Sequence, residues 1–460
     1  MMVHKTDATD SGTLLSKPGD EKPVVFERTI VEYKDLSQRF KHGKKDFSKQ
    51  FCHIYFARLQ ALTEVLMEKV TEKWGDLKGG RIADLDGTQG ERSVVIGTLY
   101  KHQRLKPSIL REFSEEYQLA PPAPNINYCS DEDLLFLEDE MLRIKLVGNH
   151  LNIEQMVTGI VCGLLGILQD DGTFDVEDWC FPGCIPRTVM PSSATSGKIL
   201  LLSGLDLTNK AESMSMVLLT EWINGMIGDP AIQKEEASIV RVIIAGNSIR
   251  GSGEIYTINS LLSEKAEDEE AARETALAAQ RFDTFLKRIV ECCCVTLMPG
   301  EFDPTSHMIP QQPLHPCMIP ESTRFKSLQG ATNPWIGSLG SRIVAGSSGQ
   351  PIDDIMKVSG VAEISPLAWL EKTLSWRHYT PTSPDTLPSY PYYEKDPFIM
   401  EEFPDIYFAG NMEKYETKLW KDENGEVTRL ICIPRFSQSG TAVLVDLETL
   451  DTQPISFGTS

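Results

Sequence analysis

Several things are missing from this sequence, and each absence removes a class of function. No uninterrupted apolar run approaches the roughly 18 residues of a membrane span. Met1 to Lys22 is polar, without the apolar centre of a signal peptide, so an intracellular protein is expected. Cysteines paired at short spacing are absent as well. The ten (52, 129, 162, 180, 184, 292, 293, 294, 317 and 432) include no Cys-x-x-Cys, which excludes a zinc ribbon and predicts buried, reduced thiols. Basic charge is scarce: 45 Lys and Arg stand against 66 Asp and Glu, a net charge of −21. A field of that sign repels phosphate backbones, so a polyanion would need a local basic patch or a partner.

Common catalytic signatures fail too. Gly246 to Gly251 and Gly346-Ser347-Ser348-Gly349 both miss the Gly-x-Ser-x-Gly spacing of a nucleophile elbow, and no His-Glu-x-x-His occurs. Ser196-Gly197-Lys198 resembles the end of a phosphate-binding loop. However, Ser192 stands where that loop needs Gly, and Ile199 where it needs Ser or Thr.

What is present is an ordinary globular composition, 41% hydrophobic and 24% charged over 460 residues, enough for two or three domains. Met1 to about Pro23 is rich in Thr, Ser, Asp, Lys and Gly and is expected to lack fixed structure. Lys41 to Lys45 is a small basic cluster that reads either as a weak nuclear-import signal or as a solvated loop. From Asp46 to Trp74 a helical stripe (Tyr55, Leu59, Leu62, Leu66, Val70) runs to Gly75, which suits a helix C-cap. The period then changes. Ser93–Tyr100, Leu134–Leu137, Met141–Leu146, Met156–Leu168 and Thr173–Asp178 read as short strands broken by turns such as Asp170-Asp171-Gly172. Five β segments beside one helix suggest a small OB-type barrel. Such a barrel can grip single strands by stacking on aromatics, and Tyr100, Phe136 and Phe174 with Lys101, Arg143 and Lys145 are the candidates. They lie amid acidic Glu138, Asp139 and Glu140, so a structural or protein-binding barrel is the alternative.

The Pro-, Ser- and Thr-rich stretch from Pro182 to Gly197 marks a boundary. Beyond it the pattern is βαβ: a strand from Ile199, a helix over Lys210–Met226, a strand from Val240, a charged helix from Ala266 to about Val290, and a strand from Val295. A short strand at Arg342–Ala345 follows. Ser365-Pro366 opens a helix presenting Leu367, Leu370 and Leu374, and strands are expected at Ile406–Ala409, Thr428–Pro434 and Ala442–Leu447. Pro381, Pro384, Pro388 and Pro391 exclude regular structure between them.

The second half is organised around Val295 to Pro304. Its apolar run stops at Pro299-Gly300 and delivers Glu301 and Asp303 to the carboxyl edge of a sheet. Two earlier strands end alike, at Gly204-Leu205-Asp206 and at Gly246-Asn247-Ser248. Three strand tips therefore converge on one crevice, where open α/β sheets usually bind ligands.

The motifs Leu105–Glu112, Leu137–Glu140, Met298–Thr305, Pro310–Cys317, Pro384–Leu387, Asp396–Phe398 and Gln453–Phe457 occur in an order that is similar to the regulatory B subunits of eukaryotic DNA polymerase delta. The resemblance covers about Phe47 to the end. It implies an α+β multidomain chain in which an OB-type barrel is followed by an α/β layered, calcineurin-like metallophosphoesterase domain. The implied divisions are a largely flexible 1–45, with 23–45 a candidate to dock on the C-terminal domain, a helix plus barrel over 46–181, a linker over 182–198 and a phosphodiesterase-like domain over 199–460.

Active members of that superfamily hold two metals on Asp, His and Asn side chains. Laid on those motifs, Gly204 replaces the first Asp and Asp206 its His. Asn247 and Arg250 occupy the two Asp positions of the second motif. Glu301 and Phe302 replace an Asn-His pair, Asp303 is kept, His378 fits a lone His, and Asn411 and Glu413 stand where the last motif has histidines. The implied crevice is a relic pocket without catalytic residues, metal or cofactor, and His378 a structural histidine near it. The alternative is a weak single-cation site on Asp206, Glu301, Asp303, His378 and Glu413, as in a metal-dependent phosphodiesterase or nuclease that retains a partial site. The resemblance further implies a nuclear, non-catalytic scaffold. Its partners would be the cysteine-rich C-terminal domain of the catalytic subunit, the third subunit, and through that subunit the sliding clamp.

Overall fold

The fold is described from a computed structural model, over residues 26–43, 46, 48–75, 79–86, 88–106, 127–187, 195–208, 213–251, 265–361, 363–422 and 425–458. The expectation for Met1 to Pro23, and residues 107–112 of the first motif, lie outside these.

Alternation of apolar and polar residues gives the first half its strands. Arg92–His102, Leu134–Glu138, Arg143–Val147, Val161–Leu168 and Phe174–Cys180 pair in the order first, second, third, fifth, fourth. The fourth then closes on the first, from Arg92↔Ile167 to Thr98↔Val161, and the third and fifth run parallel. This is the closed five-stranded barrel expected from the pattern. Inward residues such as Val95, Leu99, Leu137, Leu164 and Phe174 are fully buried.

The helix beside it runs from Cys52 to Trp74 and lays Leu59, Leu62, Leu66 and Val70 on Val94, Ile96 and Val161. Each such side chain contributes roughly 1.5–3 kcal/mol of transfer free energy. Gly75, at φ +78°, donates its N–H to Thr71 O and ends the helix. The start falls later than Asp46 for a local reason. The Asp46 carboxylate accepts both the N–H and the hydroxyl of Ser48, an Asx turn that competes with helix.

In the second half two six-stranded mixed sheets lie face to face. One runs Leu328–Gly330, Val295–Met298, Ile239–Ala245, Lys198–Leu202, Thr441–Asp446, Thr452–Ser456. The other runs Tyr33–Asp35, Trp335–Leu339, Arg342–Ser347, Ile406–Met412, Val427–Pro434, Glu416–Lys421. Their inner faces share one core, in which Ile199, Leu201, Ile243 and Met298 meet Trp335, Val344, Phe408 and Ile433. Helices Met214–Ile223 and Lys265–Val290 cover the outer face of the first sheet. Gln350–Ser359 and Pro366–Ser375 cover the outer face of the second, and the barrel packs onto these two. As expected, Ser365 caps its helix, accepting the Ala368 N–H. The helix expected over 210–226 is confined to Met214–Ile223, because Ser213 caps one end and Gly225 turns at φ +71° at the other.

The cysteine expectation needs correction. All ten are free, but Cys52, Cys292, Cys294 and Cys317 are exposed, since Cys292 and Cys294 flank the helix-to-strand turn while only Cys293 points inward. Among the described residues no helix is long and apolar enough to cross a membrane.

Candidate functional site: a crevice at the strand tips

Lys198–Leu202, Ile239–Ala245 and Val295–Met298 are parallel neighbours, so their carboxyl ends lie side by side. Past each end the chain must turn sharply over the sheet. Gly204 (φ +64°), Asp206 (+47°), Gly246 (+75°) and Asn247 (+51°) all adopt left-handed backbone, as does Asn411 (+58°) at the tip of the facing sheet. Asn and Asp tolerate that region better than other side chains, yet each still carries strain of about 1 kcal/mol or more.

Hydrogen bonds lock the turns. The Gly204 N–H donates to Gly246 O (2.9 Å) and the Asp206 N–H to Asn247 O (3.1 Å), while Ser437 donates back to Gly204 O (2.9 Å). Two of the surviving acids, Asp206 and Asp303, are consumed by this work. Buried Asp303 accepts the N–H groups of Ile249 (2.8 Å), Gly300 (2.9 Å) and Ser248 (3.2 Å). Burial raises its pKa, and those donors with the Arg250 N–H act against the rise. Asp206 accepts the Gly251 N–H at 2.8 Å and the Thr208 hydroxyl at 2.9 Å on one oxygen. A Cβ at Gly251 would stand 2.3 Å from its other oxygen. Asn247 accepts the Phe302 N–H at 3.1 Å.

Asn411 closes the pocket from the other sheet. Its amide donates to Ser348 O (2.8 Å) and Ala245 O (3.1 Å). Its oxygen lies where a Cβ on Gly204 would come within 2.8 Å of it, so the position of the first ligand has no room for a side chain. Beneath lies a neutral network that sequence reasoning did not find. Asn333 bonds Gln311 (2.8 Å), Ser348 (2.7 Å) and Gln350 (2.5 Å), and Gln311 donates to Gly300 O (3.0 Å). Gln311 lies within the Pro310–Cys317 motif, but nothing in the spacing said which residues it would meet.

Glu301 is half-buried near Asp353, whose carboxyl burial pushes up to about 7, with Arg435 opposing and Glu301 adding to the shift. Glu413 is exposed on the turn past Met412, and no described hydrogen bond joins it to the crevice. Met412, after Asn411, points into the core, and Glu413 is the first residue to face solvent.

His378 makes its bonds elsewhere. Its Nδ1 accepts the Thr380 N–H (3.1 Å), so Nε2 carries the proton and donates to Asp396 (2.9 Å). Arg58, from the helix beside the barrel, donates its Nε to the same Asp396 oxygen at 2.6 Å. Burial pushes His378 down to about 4, Arg58 adds to this and Asp396 opposes it. For Asp396 burial favours the neutral acid, but Arg58 and His378 outweigh it and hold the carboxyl far below the usual range. The remaining Arg58 donors go to Gly159 O (3.0 Å), Pro381 O (2.9 Å) and Ser383 O (2.7 Å), so this cluster fastens the barrel to the sheets.

The crevice therefore does not fit a two-metal centre. Its carboxylate oxygens already accept the chain's own N–H groups, Asn247 and Asn411 are neutral, and among the described residues no three His, Cys, Asp or Glu side chains converge.

On the barrel, Tyr100, Phe136 and Lys145 form one cross-strand row, with Arg143 4.4 Å above the Tyr100 ring and ion-paired to Glu138. Two of the nucleic-acid candidates fall away. Phe174 lies in the barrel core, and Lys101 is buried, donating to Val358 O at 2.9 Å with Asp133 3.9 Å away.

Two family models match the chain: the OB-fold domain of the DNA polymerase delta subunit over residues 50–179, and the B-type subunit of DNA polymerases alpha and epsilon over residues 199–418. DNA polymerase delta subunit 2 of Drosophila melanogaster is 39% identical over 432 residues, which span 94% of this chain and 98% of that protein. The chain belongs to the family of DNA polymerase delta small subunits. The small subunit of Oryza sativa is 37% identical over 95% of this chain and 99% of its own length. The DNA polymerase II small subunit of Pyrococcus horikoshii is 24% identical over 64% of this chain and 47% of its own. Membership of the family accounts for the barrel over 50–179.

Proposed function

We propose that this chain is a non-catalytic, nuclear accessory subunit of DNA polymerase delta that acts as a scaffold. It bridges the cysteine-rich C-terminal domain of the catalytic subunit and the third, clamp-linked subunit, and reaches DNA only through the complex. Its architecture is read as a helix and OB barrel over 46–181, a linker over 182–198, and a calcineurin-like phosphodiesterase domain over 199–460. The face-to-face mixed sheets with helices outside support the last part. The observation that carries the reading is the filled crevice: the Asn411 oxygen would lie 2.8 Å from any Cβ on Gly204, and Asp303 is bound by three backbone N–H groups. A former active site that cements two sheets leaves the outer surfaces for assembly.

The test is reconstitution from three separately tagged chains, followed by gel filtration. A ternary complex that loses the third subunit whenever this chain is omitted is expected. Formation of the same complex without it would end the scaffold reading.

A further inference from the structure

The N-terminal segment runs along the helical layer of the first sheet, and behind it lies a cavity of ≈ 200 Å³. It is lined chiefly by Phe26, Arg28, Asn224, Gln233 and Glu236. Glu236 is 1% exposed, yet neither carboxylate oxygen has a hydrogen-bond partner, and the Asn224 side-chain oxygen is also buried without one. Three unpaired buried acceptors beside one cavity are costly unless something donates to them.

Arg28 is the nearby cation, but its donors are spent on main-chain carbonyls: Ile223 O (2.7 Å), Ile239 O (3.0 Å) and Glu236 O (3.2 Å). Two of those carbonyls close helices Met214–Ile223 and Pro230–Glu236, whose C-terminal ends add partial negative charge. The cavity thus offers acceptors, a carboxylate and two helix C-termini.

We propose that this cavity binds a guanidinium or primary ammonium group, with Glu236 as its counter-ion and the Asn224 oxygen as a second acceptor. The group arrives either on a free small cation or on an Arg or Lys side chain of a peptide; the chemistry is shared. A carboxylate with an amide oxygen in the same lining matches the several donors of a guanidinium best. Burial, with Glu235 adding and Arg28 opposing, pushes the Glu236 carboxyl up to about 7. These are the charged groups that face it, Glu235 being itself paired with Lys198 at 2.5 Å. A bound cation stabilises the charged carboxylate, so below pH 7 binding releases a proton, and affinity falls as the pH is lowered.

The experiment is calorimetric titration of agmatine, butylamine and N-acetyl-arginine amide into the full chain at pH 6 and pH 8. Binding of agmatine is expected, weaker at pH 6, and reduced at least about tenfold in Glu236→Gln through loss of a charge-assisted bond. Binding of the arginine amide as well assigns the site to a peptide side chain; binding of agmatine alone assigns it to a free cation. Asn224→Ala, which leaves Glu236 in place, should weaken agmatine less. No heat with any probe at millimolar concentration in the wild-type chain would overturn the proposal. So would equal affinity in a folded Glu236→Gln.

Discussion

Arg58, Asp396 and His378 meet in a fully buried cluster whose members come from both halves of the chain. Taking the guanidinium away leaves the Asp396 charge buried with only a neutral imidazole and the Phe398 N–H beside it. Arg58→Met should therefore cost roughly 3–5 kcal/mol in chemical denaturation, the range for breaking one side of a buried pair. The pH dependence has a definite sign. His378 is held at about 4 in the folded chain and titrates near 6.5 when unfolded, so between those values the unfolded state binds more protons. Stability is complete above about pH 6.5 and falls by roughly 3 kcal/mol as the pH drops to 4. Thermal midpoints measured over that range should show a shallower acid loss in His378→Gln, which keeps an N–H toward Asp396. In the crevice, Asp303→Asn keeps an acceptor at one oxygen position but turns an amide N–H₂ toward the backbone donors at the other, since Ile249 bonds one oxygen and Gly300 and Ser248 bond the second. We expect a loss of roughly 2–4 kcal/mol by denaturant titration, with no compensating gain elsewhere.

At the scale of elements, apolar runs were the legible part. Ile199–Leu202, Val240–Ala245 and Val295–Met298 stand out because they are buried on both faces, and a glycine ends or follows each. Tyr33–Asp35, Trp335–Leu339 and Thr452–Ser456 were not found. They are short and lie at or next to sheet edges; Tyr33–Asp35 is held by a partner about 300 residues away, and Thr452–Ser456 by its neighbour Thr441–Asp446 rather than by a pattern of its own. The crevice residues Asp206, Asn247 and Asp303 could be located from the strand ends, but the fate of their lone pairs could not, since it depends on the turns of Gly251 and Phe302. The Gln311–Asn333–Gln350 network was illegible for the same reason: amides usually mark surface loops, and only the pairing of Gln311 with Asn333 buries them.

One loop carries its own test. Gly159, at φ +93°, has Pro381 O 2.1 Å and the Arg58 Nη1 2.6 Å from the place a Cβ would take. Gly159→Ala should destabilise by at least about 3 kcal/mol, from left-handed strain and displacement of the barrel. A circular dichroism melt unchanged from wild type would contradict the described junction.

For the whole molecule, the crevice and the surface make separate predictions. Mn²⁺ titrated into the chelator-stripped chain should give no heat of binding at millimolar metal, because Asp206 and Asp303 already serve as internal acceptors while Asn247 and Asn411 are neutral. Two micromolar sites would mean that the turns open to admit metal. Met141, Met214, Met226, Phe51 and Tyr393 are exposed, and the scaffold proposed above would cover side chains of this kind with its partners. The thermal midpoint should thus rise when the catalytic subunit's C-terminal domain is added, by mass action. Equal midpoints with and without it would count against assembly through this chain.

The pairing of Tyr33 with Leu339 also dictates an order of events on the ribosome. About 300 residues separate these two positions, and at ~5–20 residues per second their synthesis takes roughly 15–60 s. Barrel pairings are all completed by Cys180, so the barrel can form while the N-terminal segment still waits. During that interval the first strand to be made waits for its partner. Tyr33–Asp35 closes over the edge of Trp335–Leu339 only when nearly three quarters of the chain has emerged.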